Sequence, residues 1–190
     1  MRALPAILAA RPNARAVFVG GEGVSYGPAP PSGSWKARFL DDVADRLPSE
    51  RVHFVSRVPF PQFVALMQIS SAHVYLTYPF VLSWSVLQAM SAGAPVIASR
   101  TAPVEEVIED GVNGRLVDFF DIAGLSRRVV ETLADPAGQQ AVRAAARQTV
   151  RERLDLAGLC LPPEQLSGRP RRSRSPSRRP CPNHGHDCSA

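Results

Sequence analysis

The stretch Thr77–Val107, TYPFVLSWSVLQAMSAGAPVIASRTAPVEEV, decides how the rest of the chain is read. A turn at Tyr78-Pro79 leads to Ser83, a good N-cap residue. The short helical run after it carries Leu87 and Met90 with the small residues Ala89, Ala92 and Gly93. Gly93-Ala94-Pro95 ends this helix, since glycine accepts the left-handed cap conformation and proline cannot continue a helix. An apolar strand from Pro95 to Ala98 follows, and Thr101-Ala102-Pro103 opens a second helix carrying Glu105 and Glu106. Unpaired N–H groups and the helix dipole at both starts suit a phosphate or diphosphate.

Outward from this segment the chain alternates between strands and helices. Ala16–Val19, Val52–Val55, His73–Leu76 and Arg115–Val117 are short apolar runs of the buried-strand type. Residues 2–10 predict the end of a helix with Leu4, Ile7 and Leu8 on one side. Ser34 caps a helix in which Trp35, Phe39, Val43 and Leu47 recur every fourth residue. Phe60, Phe63, Val64 and Met67 form another apolar face, for which core packing is the default reading. Asp121 caps a helix with Ile122, Leu125, Val129, Val130 and Leu133, and the last helix runs from Gln139 to Leu154. Five strands separated by helices predict an α/β fold with a parallel, doubly wound sheet. Ligands of such sheets lie beyond the carboxyl ends of the strands, where the loops at Gly20, Arg57, Tyr78 and Thr101 all fall.

Composition bounds the function. At 190 residues, 45% hydrophobic and 21% charged, the chain has the make-up of one globular domain with an appendage. No apolar run approaches the roughly 20 residues that span a membrane, and a cytoplasmic location is expected. Six of the 22 basic residues but one of the 17 acidic ones lie from Arg169 onward, leaving sixteen of each before it. The body is thus neutral, which argues against nucleic acid as a partner of the domain. All three cysteines (Cys160, Cys181 and Cys188) come late, so no disulfide framework is implied.

The composition changes at Leu161. Residues 161–190, rich in proline, serine and arginine, cannot build a core and are expected to be disordered. Cys181, His184, His186 and Cys188 are of zinc-ligand type, but their spacing is cramped and no flanking fold supports them, so no metal is expected.

One family brings these motifs together. Gln88-Ala89-Met90-Ser91-Ala92-Gly93-Ala94-Pro95-Val96, with Glu106-Val107-Ile108, Asp110-Gly111 and Asn113-Gly114, resembles the donor-sugar half of the GT-B glycosyltransferases of family four. The resemblance covers about residues 14–154. That family's motif has two glutamates separated by seven residues; here the second is Gln88 and the first is Phe80. The resemblance implies a Rossmann-like domain over residues 1–160 that binds a nucleotide-diphosphate sugar for retaining transfer. It also implies that the chain is N-terminally truncated: the family's diphosphate-binding arginine and lysine, and its acceptor-binding domain, lie on polypeptide before Met1. A separate acceptor-binding chain is then an expected partner, and the sugar itself is a substrate, with no cofactor.

By resemblance the donor-binding residues are Gly20, Gly21, Arg57, Val58, Phe80, Ser83, Trp84, Ser85, Gln88, Thr101 and Glu106. The implied role of Gln88 is to accept a ribose hydroxyl through its amide oxygen, without the charge that strengthens such bonds. Phe80 cannot bond the sugar through its side chain, which leaves backbone groups to do so. Ser83, Trp84 and Ser85 are expected to present N–H groups and hydroxyls to diphosphate and sugar. Several residues keep two readings. The glycines are a ligand loop or a flexible turn, and Arg57 a base-loop contact or a solvated cation. Trp84 is a core anchor or a contact, and Glu106 positions the donor or favours its helix N-terminus. His73 is a packed histidine or a catalytic one. At the level of the whole chain, a non-catalytic remnant and an interaction protein acting through its Arg/Ser tail stand as alternatives.

Overall fold

The computed structural model describes residues 1–23, 28–78 and 81–154. Phe80, Cys160 and the whole 161–190 segment with its Cys/His cluster lie outside the described residues.

Among the described residues five strands form: β1 Ala16–Val19, β2 Val52–Val55, β3 His73–Tyr75, β4 Val96–Ser99 and β5 Arg115–Val117. Seven α-helices alternate with them among the described residues: α1 Leu4–Ala10, α2 Trp35–Asp41, α3 Phe60–Ile69, α4 Trp84–Ala92, α5 Ala102–Glu105, α6 Ile122–Ala134 and α7 Gln139–Arg153. Every strand pairing is parallel, as the alternation predicts. The pairings form two ladders, β1–β2 and β3–β4–β5.

β4 is the centre. All four of its residues are buried, and it is paired on both edges. Alternate residues of a strand face opposite sides of a sheet, and here each side has its own core. Val96 and Ala98 join Met67, Val86, Met90, Val104 and Leu116 beneath α3, α4 and α7. Ile97 joins Ala3, Ile7, Val117 and Val129 beneath α1 and α6.

The caps read from sequence form. Ser34 Oγ accepts from Ala37 N at 3.1 Å, and Asp121 Oδ1 accepts from Gly124 N at 2.7 Å. Gly93 ends α4 at φ 75°, in the left-handed region, where a side chain would also meet the Arg147 guanidinium. The carbonyls beyond α4 are capped by the arginines of α7. Arg143 Nε donates to Gly93 O at 2.6 Å and Arg147 Nη2 to Ala92 O at 3.2 Å. The alanine/arginine pattern of α7 thus has a structural use: alanine permits close packing on α4, and arginine satisfies its end.

Two expectations are adjusted. The four-residue repeat after Ser34 does not make one helix: α2 stops at Asp41 and Ala44–Arg46 is a 3₁₀ turn. The break turns Val43 inward to 1% exposure, and its burial outweighs continuation of an exposed helix. Of the expected aromatic core pair on α3, Phe63 packs against the core while Phe60 is 62% exposed.

α1 bridges the two ladders. Its Ile7 packs into the cluster with Ile97 and Val117, which also takes Ala72, the residue just before β3. At its other end Arg51, just before β2, donates through Nη1 to Leu8 O (3.0 Å), Arg11 O (3.3 Å) and Pro12 O (2.7 Å). One guanidinium therefore satisfies the carbonyl end of α1 and ties the amino end of β2 to it, while Ala72 brings the start of β3 to the same helix. Arg51→Met should lower stability by about 2–3 kcal/mol, since charged hydrogen bonds are lost and carbonyls left unpaired. Urea unfolding measures the loss, and native-state hydrogen exchange should quicken in β2 more than in β4.

Candidate functional site

Because each ladder is parallel, the loops that follow the strands leave at the carboxyl edge. Gly20 continues the β1–β2 ladder, its N–H donating to Val55 O at 3.0 Å. Gly20 and Gly21 are exposed, with open space where a Cβ would stand. Arg57 is exposed after β2 with no acidic partner among the described residues, and Val58 is half-buried.

The best-built part of this edge joins β3, β4 and α4. Ser99, fully buried at the end of β4, donates through Oγ to Thr77 O at 2.7 Å and accepts from Thr77 N at 2.8 Å. A single hydroxyl thereby replaces the next rung of the ladder and holds the loop after β3. Tyr75 does the same for α4: its hydroxyl accepts from Ser83 N at 3.1 Å. Ser83 Oγ accepts from Ser85 N at 3.2 Å and lies 3.1 Å from Ser85 Oγ. The N–H groups of Ser83 and Ser85 are therefore engaged within the protein, unlike the expectation that all three residues present theirs. The backbone N–H of Trp84 has no partner among the described residues. Its indole is 79% exposed, which settles against a core anchor. Gln88, one turn along α4, is half-buried with no side-chain hydrogen bond among the described residues.

Past β4 the site differs from the sequence reading. α5 has only four residues, and Glu106 is its C-cap. The reading of Glu106 as favouring a helix N-terminus is thus corrected, because a carboxylate gains from the dipole only in the first turn. Thr101 precedes α5 with its Oγ1 buried and without a partner among the described residues. Arg100, which the sequence reading passed over, is clamped by Glu105 (3.3 Å) and Asp110 (2.9 Å). Two surface cavities of about 470 and 390 Å³ flank it; of the expected residues only Glu106 lines either. Gly20, Arg57, Ser83 and Gln88 thus lie at strand ends and on α4, not within one of these two cavities.

A second feature missed in the sequence is aromatic. Tyr78 meets Phe119 and Phe120 at ring centroid distances of 5.2 and 5.3 Å, beside the Ser99-held loop. Tyr78 and Phe120 remain 59% and 70% exposed. The Phe119-Phe120 pair, one residue beyond β5, is the signal that was available, since β5 ends at the same edge. Asn113 is structural: buried, it accepts from Glu109 N and donates to Val107 O and Thr149 Oγ1.

His73 lies at the amino end of β3, away from the loops, with its N–H bonded to Pro95 O. Burial lowers its pKa below 6.5 and keeps it neutral at pH 7. It is a packed histidine.

The family model for glycosyl transferases group 1 matches residues 1–149. The chain belongs to this family. Its fold is the Rossmann-like half of a GT-B glycosyltransferase. HepE of Anabaena, solved in complex with UDP-glucose, superposes with a TM-score of 0.69 at 21% identity, over 88% of this chain and 43% of that one. The C-terminal domain of LpcC, a group 1 protein from Francisella tularensis, gives 0.67 at 17% identity, over 82% of this chain and 77% of that domain. A glycogen synthase of Mycobacterium tuberculosis is 26% identical over 117 residues, 62% of this chain and 28% of its own length. The chain thus spans less than half of HepE and about a quarter of the glycogen synthase, and its large overlap with LpcC is with a C-terminal domain alone. No helix among the described residues is long and apolar enough to cross a membrane.

Ser99→Ala should cost about 1–3 kcal/mol, because Thr77 loses partners for both its N–H and its C=O. Thermal melting gives the loss, and faster exchange of the Thr77 amide shows where it acts. For His73 the lowered pKa means that the unfolded chain binds the proton more readily. Stability is therefore full above about pH 6.5 and declines as the pH falls below it. Unfolding midpoints from pH 8 to 5 should show this decline, and His73→Gln should flatten it.

Proposed function

We propose that this chain is the donor-binding domain of a retaining glycosyltransferase and takes a nucleoside-diphosphate hexose. The observation that carries the reading is the carboxyl edge of β3 and β4. Ser99 and Tyr75 hold the Thr77 loop and the start of α4, where the Trp84 N–H and the Gln88 amide have no partner among the described residues and the Ser85 hydroxyl has Ser83 Oγ alone. Membership of the glycosyl transferases group 1 and the UDP-glucose carried by HepE support the same reading.

In this reading the start of α4, nine residues long and capped by Ser83, takes the diphosphate. Gln88 accepts a ribose hydroxyl, and the exposed Tyr78 and Phe120 rings offer apolar faces at the same edge. Arg57 and Val58 lie on the loop that meets the base, and Glu106 positions the sugar. Departure of the nucleoside diphosphate is helped by N–H and cationic groups, and the acceptor attacks from the face it leaves. No metal takes part. The described domain supplies little positive charge at the start of α4, so transfer needs an acceptor-binding partner that brings it.

Calorimetry with UDP-, GDP- and ADP-glucose should find one of them binding weakly and unchanged by EDTA, with no product formed by the chain alone. Gln88→Glu should tighten binding about fivefold, since a carboxylate accepts a hydroxyl about 1 kcal/mol better than an amide. Unaided turnover would refute the dependence on a partner. Absence of binding in both forms would leave a non-catalytic remnant, to which the departures at Phe80 and Gln88 already point. Binding of RNA that vanishes on removing residues 169–190 would favour the interaction-protein reading instead.

A further inference from the structure

Beyond the end of β5, residues 118–121 make a tight turn that joins two kinds of surface. Asp118 Oδ1 accepts from Phe120 N at 2.8 Å, Asp121 N donates to Asp118 O at 3.1 Å, and Ile122 N donates to Phe120 O at 3.0 Å. The two aspartates line the cavity of about 390 Å³ beside Arg100, together with Arg127, Arg128 and Glu131 of α6. The two phenylalanines between them form an aromatic corner with Tyr78. Tyr78 follows Thr77, which Ser99 holds at both its N–H and its C=O. Tyr78 and Phe120 are thus fixed on hydrogen-bonded frames while 59% and 70% exposed, instead of folding into the core.

The cavity is charged but balanced, with three arginines against three acids. The guanidiniums of Arg127 and Arg128 make no hydrogen bond among the described residues. Arg127 stands 3.9 Å from Asp121, and Arg128 stands 3.6 Å from Glu131 and 3.9 Å from Asp110, all too far for a direct hydrogen bond. A hydroxyl suits such a gap, because it accepts from a guanidinium and donates to a carboxylate at once. A phosphate only accepts and meets repulsion from the acids; an ammonium only donates and meets it from the arginines. The polar side therefore selects a neutral ligand with several hydroxyls. The rings beside it select an apolar C–H face, since an aromatic face is electron-rich. A sugar ring has both, whereas a nucleobase stacks but lacks adjacent hydroxyls.

We propose that this cavity and the aromatic corner bind one neutral pyranose unit, stacked on Phe120 and Tyr78 with its hydroxyls between the arginines and the carboxylates. The site lies beyond β5, with β4 between it and β3, and so is separate from the start of α4. A donor sugar is tied to the diphosphate at α4, so the unit held beyond β5 belongs to the acceptor, which is then itself a saccharide. That last step rests on the reading of α4 as the diphosphate site; binding of a neutral sugar does not.

NMR titration of the full chain with maltotriose, cellotriose and mannotriose tests this, at up to about 20 mM, well above the roughly millimolar Kd of a shallow site. At least one should shift the amides of Asp118, Phe120, Arg127 and Arg128 saturably and leave those of Trp84 and Gln88 in place. Phe120→Ala should weaken that binding about tenfold, and Arg127→Gln should weaken it too. Both side chains are exposed, and an unchanged melting curve verifies that each variant is folded. UDP-glucose, titrated separately, should shift Trp84 and Gln88 and be indifferent to Phe120→Ala. If UDP-glucose fails to bind while a trisaccharide binds as described, the donor reading falls and the sugar site stands. No saturable shift with any trisaccharide would overturn the proposal. So would undiminished binding by folded Phe120→Ala, or equal shifts of the same four amides with glucose 6-phosphate or UMP.

Discussion

The structure depends on the double pairing of β4. A strand buried on both faces must find hydrogen-bond partners for every N–H and C=O, and β4 finds them in β3 and β5. That constraint sets the rest. The side chains of β4 alternate between the core under α3, α4 and α7 and the core under α1 and α6. Where the β3–β4 ladder ends, the next rung comes from a side chain, Ser99, so that the chain can leave the sheet without orphaning Thr77.

The candidate site inherits its order from this ending. Its helix α4 has nine residues, and bonds back to the sheet fix where it starts. Ser99 and Tyr75 supply them from the two strands beneath. The same bonds use up some of the groups a ligand would want: Ser83 N–H goes to Tyr75, and Ser85 N–H to Ser83. What remains for a ligand is a small set of polar groups beside exposed aromatic rings, with little fixed positive charge.

Much of the fold was legible in the sequence because its signals are local. Ser34, Ser83, Asp121 and Gly93 act within one turn of their own positions, and the short apolar runs Ala16–Val19 and Val52–Val55 are strands as read, although only Val52 of the eight residues is buried as the runs led one to expect. The parallel direction followed from the helix between each pair of strands. The site was legible as a set of loops at one edge. Its details were less so: α5 proved to be four residues with Glu106 at its end, and the apolar repeat through Val43 broke where burial of that one side chain mattered more.

What the sequence determined by itself is therefore the type and order of the elements, the caps that bound them, and the family whose motif runs from Gln88 to Val96. What only the tertiary structure decided is which polar groups are already engaged. Tyr75 reaches Ser83 across eight residues, Ser99 reaches Thr77 across 22, and Arg51 reaches α1 across about 40. No local pattern encodes such pairings, because each depends on where two distant backbones come to lie once the strands have stacked in their order.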